Sequence, residues 1–107
     1  MNVPELTMHE LKTLLAEPNE IVLIDVRENE ELENGVLEGA IHIPMGQIPE
    51  RIDELNPQAK TVVICRTGNR SRKVTEYLVS HGFVDASNMC DGMNGWAREI
   101  DSSMSVY

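Results

Sequence analysis

The sequence predicts an α/β fold built on a mostly parallel sheet, and three observations carry that expectation. Short apolar runs rich in β-branched residues, above all 21–24 and 61–64, alternate with stretches of helical period. Each run is apolar at consecutive positions, as strands covered on both faces are. Short connectors holding Gly and Pro separate the segments, and no internal repeat or low-complexity stretch interrupts them.

Taken in order, Thr7-Met8-His9-Glu10 has the form of a capping box, and Leu11, Leu14 and Leu15 continue it as an apolar helical stripe ending at Pro18. The run 21–24 is a strand that ends on Asp25. Residues 28–34 read as a short acidic helix closed by Gly35, with Glu28, Glu30, Glu31 and Glu33 on a solvated face. Ala40-Ile41-His42-Ile43 is a short strand stopped by Pro44 and Gly46. Ile48, Ile52 and Leu55 then recur at i, i+4 and i+7, giving an amphipathic helix that ends near Pro57. The run 61–64 delivers Cys65, a loop over 66–70 follows, and after Ser71 a helix is marked by Val74, Leu78 and His81, with Gly82 at its C-cap. A weaker strand lies within 83–88, and a final helix over 93–100 carries Trp96 in the core. Residues 102–107 are expected as a loose tail. The whole chain, 1–107, is expected as one domain with its core within about 6–100, long enough to bury roughly two thirds of its unfolded surface.

Composition narrows the function. A net charge of −9 disfavours nucleic acid and anionic membranes as partners, since binding either begins with phosphate neutralisation. No apolar run approaches the ~20 residues of a membrane span. The first residues carry Glu5, Glu10, Lys12 and Glu17 rather than a signal-peptide core, so a cytoplasmic location is expected. The 2 cysteines are too few for a disulfide framework and lack Cys-x-x-Cys spacing, which leaves reduced thiols as the default. His9, His42 and His81 have no partners at ligand spacing, and no metal or cofactor is implied. Yet 4 of the 9 basic residues, Arg66, Arg70, Arg72 and Lys73, lie together, one basic spot on an acidic body that suits a small anion.

That spot surrounds Cys65, at the end of a strand and before a helix N-terminus, where unpaired backbone N–H groups and the helix dipole favour negative charge. Cations crowding a helix start oppose the dipole unless an anion compensates them. Cysteines in such settings ionise readily and act as nucleophiles without a general base. A Cys closing an apolar run is otherwise a small core residue, and the basic flank is what favours reactivity.

The stretch Cys65-Arg66-Thr67-Gly68-Asn69-Arg70-Ser71 resembles the active-site loop of single-domain rhodaneses, the thiosulfate sulfurtransferase family. Asp25-Val26-Arg27-Glu28, Gly39-Ala40-Ile41-His42-Ile43-Pro44, and Gly92-Met93 with Trp96 resemble three further family segments in the same order, so the resemblance spans about residues 6–100. It implies five strands with helices on both faces, and Cys65 as the residue that takes sulfur from thiosulfate and passes it to cyanide or a thiol. Arg66, Thr67, Gly68, Asn69, Arg70 and Ser71 would then bind the substrate, Arg70 also bracing the loop. A persulfide carrier serving a sulfur-relay protein shares the same cysteine. Cysteine phosphatases and arsenate reductases place Arg six positions after the Cys, where this chain has Ser71, and a non-catalytic binding module has no need to retain the cysteine. Val36-Leu37-Glu38 and Asp91 depart from the family pattern. Cys90 reads as a partly buried structural residue or a resolving thiol, and Asp25 with Arg27 as a structural ion pair or part of the pocket frame.

Overall fold

The computed structural model describes residues 3–17 and 20–107. Its strands are β1 (Glu5–Leu6), β2 (Ile21–Asp25), β3 (Ile41–His42), β4 (Lys60–Ile64) and β5 (Ala86–Met89), and its α-helices are α1 (Met8–Ala16), α2 (Ile48–Arg51), α3 (Asn69–Ser80) and α4 (Gly92–Glu99). The strands form one five-stranded sheet in the order β1-β5-β4-β2-β3, every neighbouring pair parallel. This is the α/β architecture that the alternating pattern predicts. The central strand, β4, pairs Thr61 to Ile64 with Val22 to Asp25 on one side and Thr61 to Val63 with Ala86 to Asn88 on the other.

Side chains alternate across a strand, so each run feeds both faces of the sheet. Leu23, Val62 and Ile64 pack with Leu11, Met93 and Trp96 under α1 and α4. Ile24, Val63 and Cys65 pack with Ile48, Val74 and Leu78 under α2 and α3. Burying each large aliphatic side chain contributes about 1.5–3 kcal/mol, which explains why the strands are apolar at consecutive positions.

Several elements differ from the sequence expectation. Strand β1 was not expected from the pattern, because two residues carry no periodicity; it forms by pairing Glu5 and Leu6 with Asn88 and Met89. The capping box is present, with Thr7 Oγ1 accepting from Glu10 N–H at 3.1 Å and Glu10 Oε1 accepting from Thr7 N–H at 2.9 Å. Helix α1 runs to Ala16, the expected stop at Pro18 lies outside the described residues, and Leu15 is exposed rather than part of the stripe. Residues Asn29–Asn34 form a 3₁₀ helix rather than an α-helix. The amphipathic segment before Pro57 is α2 flanked by 3₁₀ turns at Met45–Gln47 and Ile52–Glu54. Residues 101–107 are docked, not loose: Ser105 N–H donates to Asn34 O at 3.0 Å, Tyr107 N–H donates to Asn94 Oδ1 at 3.0 Å, and Met104 packs on Gly35.

Asp25 and Arg27 form a buried ion pair at 2.8 Å, with the Arg27 side chain fully excluded from solvent. The guanidinium also donates to Gly35 O at 2.7 Å, Glu31 O at 3.4 Å and the Tyr107 hydroxyl at 3.1 Å, tying the 3₁₀ turn and the last residue to β2. Asp25 further accepts from Arg27 N–H at 3.1 Å. The structural role is therefore the one observed. Removing one partner strands a charge in the core, so Arg27→Met is expected to destabilise the protein by about 3–5 kcal/mol in urea unfolding, with Arg27→Lys intermediate because it keeps the charge and loses the fork.

Candidate active site

The chain leaves β2 toward β3 on one side of the sheet and leaves β4 toward β5 on the other, so the connections after these adjacent strands diverge. Crevices of this kind, beyond the carboxyl ends of parallel strands, are where open α/β sheets bind ligands. Cys65 stands at this end of β4, and strand alternation directs it to the face covered by α3.

The turn after Cys65 is shorter than expected, because α3 begins at Asn69 rather than after Ser71. Gly68 makes this possible. It has φ +98°, and a Cβ there would lie 2.3 Å from Cys90 O. Gly92, with φ +66°, meets Arg66 O in the same way, its Cβ position 2.3 Å away. Met93 N–H then donates to Cys65 O at 2.8 Å and Asn94 N–H to Arg66 O at 3.0 Å. These first-turn amides of α4 have no partners within their own helix, and the loop carbonyls satisfy them. Asp91, which departs from the family pattern, accepts from Met8 N–H at 3.0 Å and ties the start of α1 to this region.

Two groups converge on Cys65 Sγ: the Gly68 amide at 3.1 Å and the Ser71 hydroxyl at 3.2 Å. Ser71, in the first turn of α3, is fully buried, and its Oγ lies 2.5 Å from Asn88 Oδ1. Asn88 on β5 donates through Nδ2 to Gly68 O at 3.1 Å and Glu5 Oε2 at 2.9 Å, which fixes its amide with Oδ1 toward Ser71. Ser71 has a single proton for two acceptors. It can serve Oδ1 while a neutral thiol donates to Oγ, and turn to sulfur when sulfur is anionic. Cys65 itself is 1% exposed, the burial expected of a core residue, while its Sγ is met by two polar donors.

The candidate binding residues separate by position. Arg66, Thr67 and Asn69 are exposed, Gly68 and Ser71 are buried, and Arg70 is half-buried. Arg70 grips Glu31 with two hydrogen bonds of 2.7 Å, so the connections after β2 and β4 are joined across the crevice. This corrects the solvated reading of Glu31; Glu28, Glu30 and Glu33 are exposed. The Arg70 fork holds the Glu31 carboxyl down at about 2 against the opposing effect of burial, and Glu31 in turn pushes Arg70 up. Arg72 and Lys73 are exposed on α3, Arg72 lying 3.9 Å from Glu76.

The sequence does not mark Glu31, Asn88 or Tyr107 as site residues. Tyr107 lies under the Arg66 guanidinium, 4.9 Å from its ring centroid, and its hydroxyl donates to Glu31 Oε1 at 3.1 Å. A polar Asn beside Ala86 and Met89 in a strand was the one local signal available; nothing near Glu31 or Tyr107 in sequence marks them. Cys90 is half-buried, its thiol pushed up by burial and then by Asp91 and Glu5. Among the described residues no cluster of His, Cys, Asp or Glu is placed to hold a metal ion, and no helix is long and apolar enough to cross a membrane.

The low carboxyl value of Glu31 has a definite sign. Its ordinary value is 4.5 and its folded value about 2, so the pair stabilises the fold above pH 4.5 and that contribution fades as pH falls toward 2. Wild type is expected to melt above Glu31→Gln at pH 7, with the gap narrowing steadily below pH 4.5 in thermal scans; a gap independent of pH would contradict this.

Residues 7–99 match the family model described as Rhodanese-like domain. YtwF of Bacillus subtilis (strain 168), named as a candidate sulfurtransferase, is 40% identical over 99 residues, covering 92% of this chain and 95% of that protein. YrkF of the same strain, named as a candidate sulfur carrier, is 32% identical over 100 residues, which span 94% of this chain and only 54% of YrkF. The crystal structure of a rhodanese-like domain protein from Staphylococcus aureus superposes with a TM-score of 0.84 at 35% identity, covering 97% of this chain and 98% of that one. The chain belongs to the rhodanese-like family of sulfurtransferases.

Proposed function

We propose that this chain transfers sulfane sulfur through a persulfide on Cys65, accepting it from thiosulfate and delivering it to cyanide or a thiol. The observation that supports this most directly is Cys65 Sγ held between the Gly68 amide and the Ser71 hydroxyl at the crevice, in a chain of this family. The fixed Gly68 amide and a Ser71 hydroxyl that needs only to rotate its proton both stabilise a sulfur anion, which is how a site lowers the barrier to forming one.

In the first half-reaction the Cys65 thiolate attacks the outer sulfur of thiosulfate. A new S–S bond forms, the old one breaks, and sulfite leaves with the electron pair. The cysteine is left as a persulfide anion. In the second, cyanide attacks the terminal sulfur, thiocyanate departs, and the thiolate returns. Both halves use one site, so ping-pong kinetics are expected. Arg66, Arg70 and the exposed Thr67 and Asn69 would meet the donor, while Gly68 and Ser71 hold the sulfur. A reducing compartment such as the cytoplasm suits a chain whose Cys65 and Cys90 are both free.

A persulfide carrier in a sulfur relay is the second reading, favoured by the likeness to YrkF. Phosphatase chemistry is disfavoured because Ser71, at the position where such loops carry Arg, points its hydroxyl at Sγ instead.

Intact-mass analysis after thiosulfate treatment is expected to show one added sulfur in the wild type, none in Cys65→Ser, and its removal by cyanide with thiocyanate release. Absence of the added sulfur on a folded wild type would overturn the reading. Ser71→Ala is expected to slow loading by about 10-fold or more, the value of one hydrogen bond to a charged group, in single-turnover experiments.

A further inference from the structure

The geometry points to Tyr107 as the residue that restrains anionic sulfur donors on their way to Cys65, by occupying Arg66, a cation that an incoming anion would use. This rests on Cys65 being the reactive thiol of the proposed function. The Arg66 guanidinium lies 4.9 Å from the centroid of the Tyr107 ring, while the Tyr107 hydroxyl donates to Glu31 at 3.1 Å. Glu31 in turn holds Arg70 with two bonds of 2.7 Å. Arg66, Tyr107, Glu31 and Arg70 therefore form one unbroken series of contacts linking the two arginines of the loop.

The anchoring of Tyr107 exceeds what a chance surface contact would show. Its hydroxyl accepts from the buried Arg27 at 3.1 Å, and its N–H donates at 3.0 Å to Asn94, whose own amide holds Arg66 O. Its neighbour Val106 is 50% exposed, so burial of the segment does not by itself dictate where the ring lies. Because Cys65 is 1% exposed, the groups around it decide what arrives. An incoming anion has to draw Arg66 off the ring before it can pair with it, and an uncharged reagent of the same size does not. The contact thus slows anions, thiosulfate included, relative to neutral reagents.

The test uses two alkylating probes that differ in charge, iodoacetate and iodoacetamide, with modification of Cys65 followed by peptide mass. In Tyr107→Ala the ratio of the iodoacetate rate to the iodoacetamide rate is expected to rise about 2- to 5-fold over wild type, the range that one exposed cation–π contact supports. Tyr107→Leu, which keeps apolar bulk and guards against a variant that fails to fold, is expected to raise the ratio likewise. A merely structural tyrosine would speed both probes equally on loosening. A ratio unchanged or lowered in the folded variants overturns the assignment, whatever the absolute rates. Alkylation requires no sulfur donor, so a Cys65 that alkylates as expected yet never gains sulfur would overturn the sulfurtransferase reading alone.

Discussion

The constraint on which the site depends is the contact of two backbones, the turn after β4 and the first turn of α4. Amides at a helix start lack partners of their own, and here Met93 and Asn94 find them in the carbonyls of Cys65 and Arg66. The approach is so close that neither Gly68 nor Gly92 has room for a Cβ. With the carbonyls held, the Gly68 amide turns toward Sγ, α3 starts at Asn69, and Ser71 reaches the same sulfur from one turn further on. Asn88 closes the arrangement by accepting from Ser71 and donating to Gly68 O. The residues that hold the sulfur thus come from β4, β5 and α3, with α4 fixing the turn between them.

A second network runs outward from the core. Asp25 and Arg27 are buried together, Arg27 reaches Tyr107, Tyr107 reaches Glu31, and Glu31 grips Arg70. Polar chains of this kind strengthen internally and impose a single arrangement when every member is satisfied. No buried side-chain nitrogen or oxygen among the described residues lacks a partner. The network thus joins the connections after β2 and β4 to the buried ion pair at the end of β2. On a chain of net charge −9 it also leaves the basic spot partly neutralised by its own carboxylate.

What was legible in the sequence was local. Runs 21–24 and 61–64 announced β2 and β4 because strands covered on both faces are apolar throughout, and Thr7 with Glu10 announced the start of α1 because a capping box is a four-residue signal. Cys65 stood out by the cations after it. The start of α3 is not visible in the sequence because the sharp turn at Gly68 forms against Cys90 and Gly92, a contact between segments more than twenty residues apart. Glu31 looked like its three acidic neighbours, since its partner lies 39 positions away. Tyr107 sat in a polar stretch with nothing nearby to say that it docks. Strand β1 was invisible for a related reason, being defined entirely by pairing with β5.

The position of β4 in the middle of the sheet carries one more consequence. Its backbone is hydrogen-bonded to a neighbour on each side, and such strands open only with global unfolding, whereas single side chains at a surface change rotamer in picoseconds to nanoseconds. Cys65 follows this strand directly, so the sulfur hangs from a backbone anchored on both sides, and whatever rearranges as a ligand arrives falls to the exposed side chains around it, Arg66, Thr67 and Asn69.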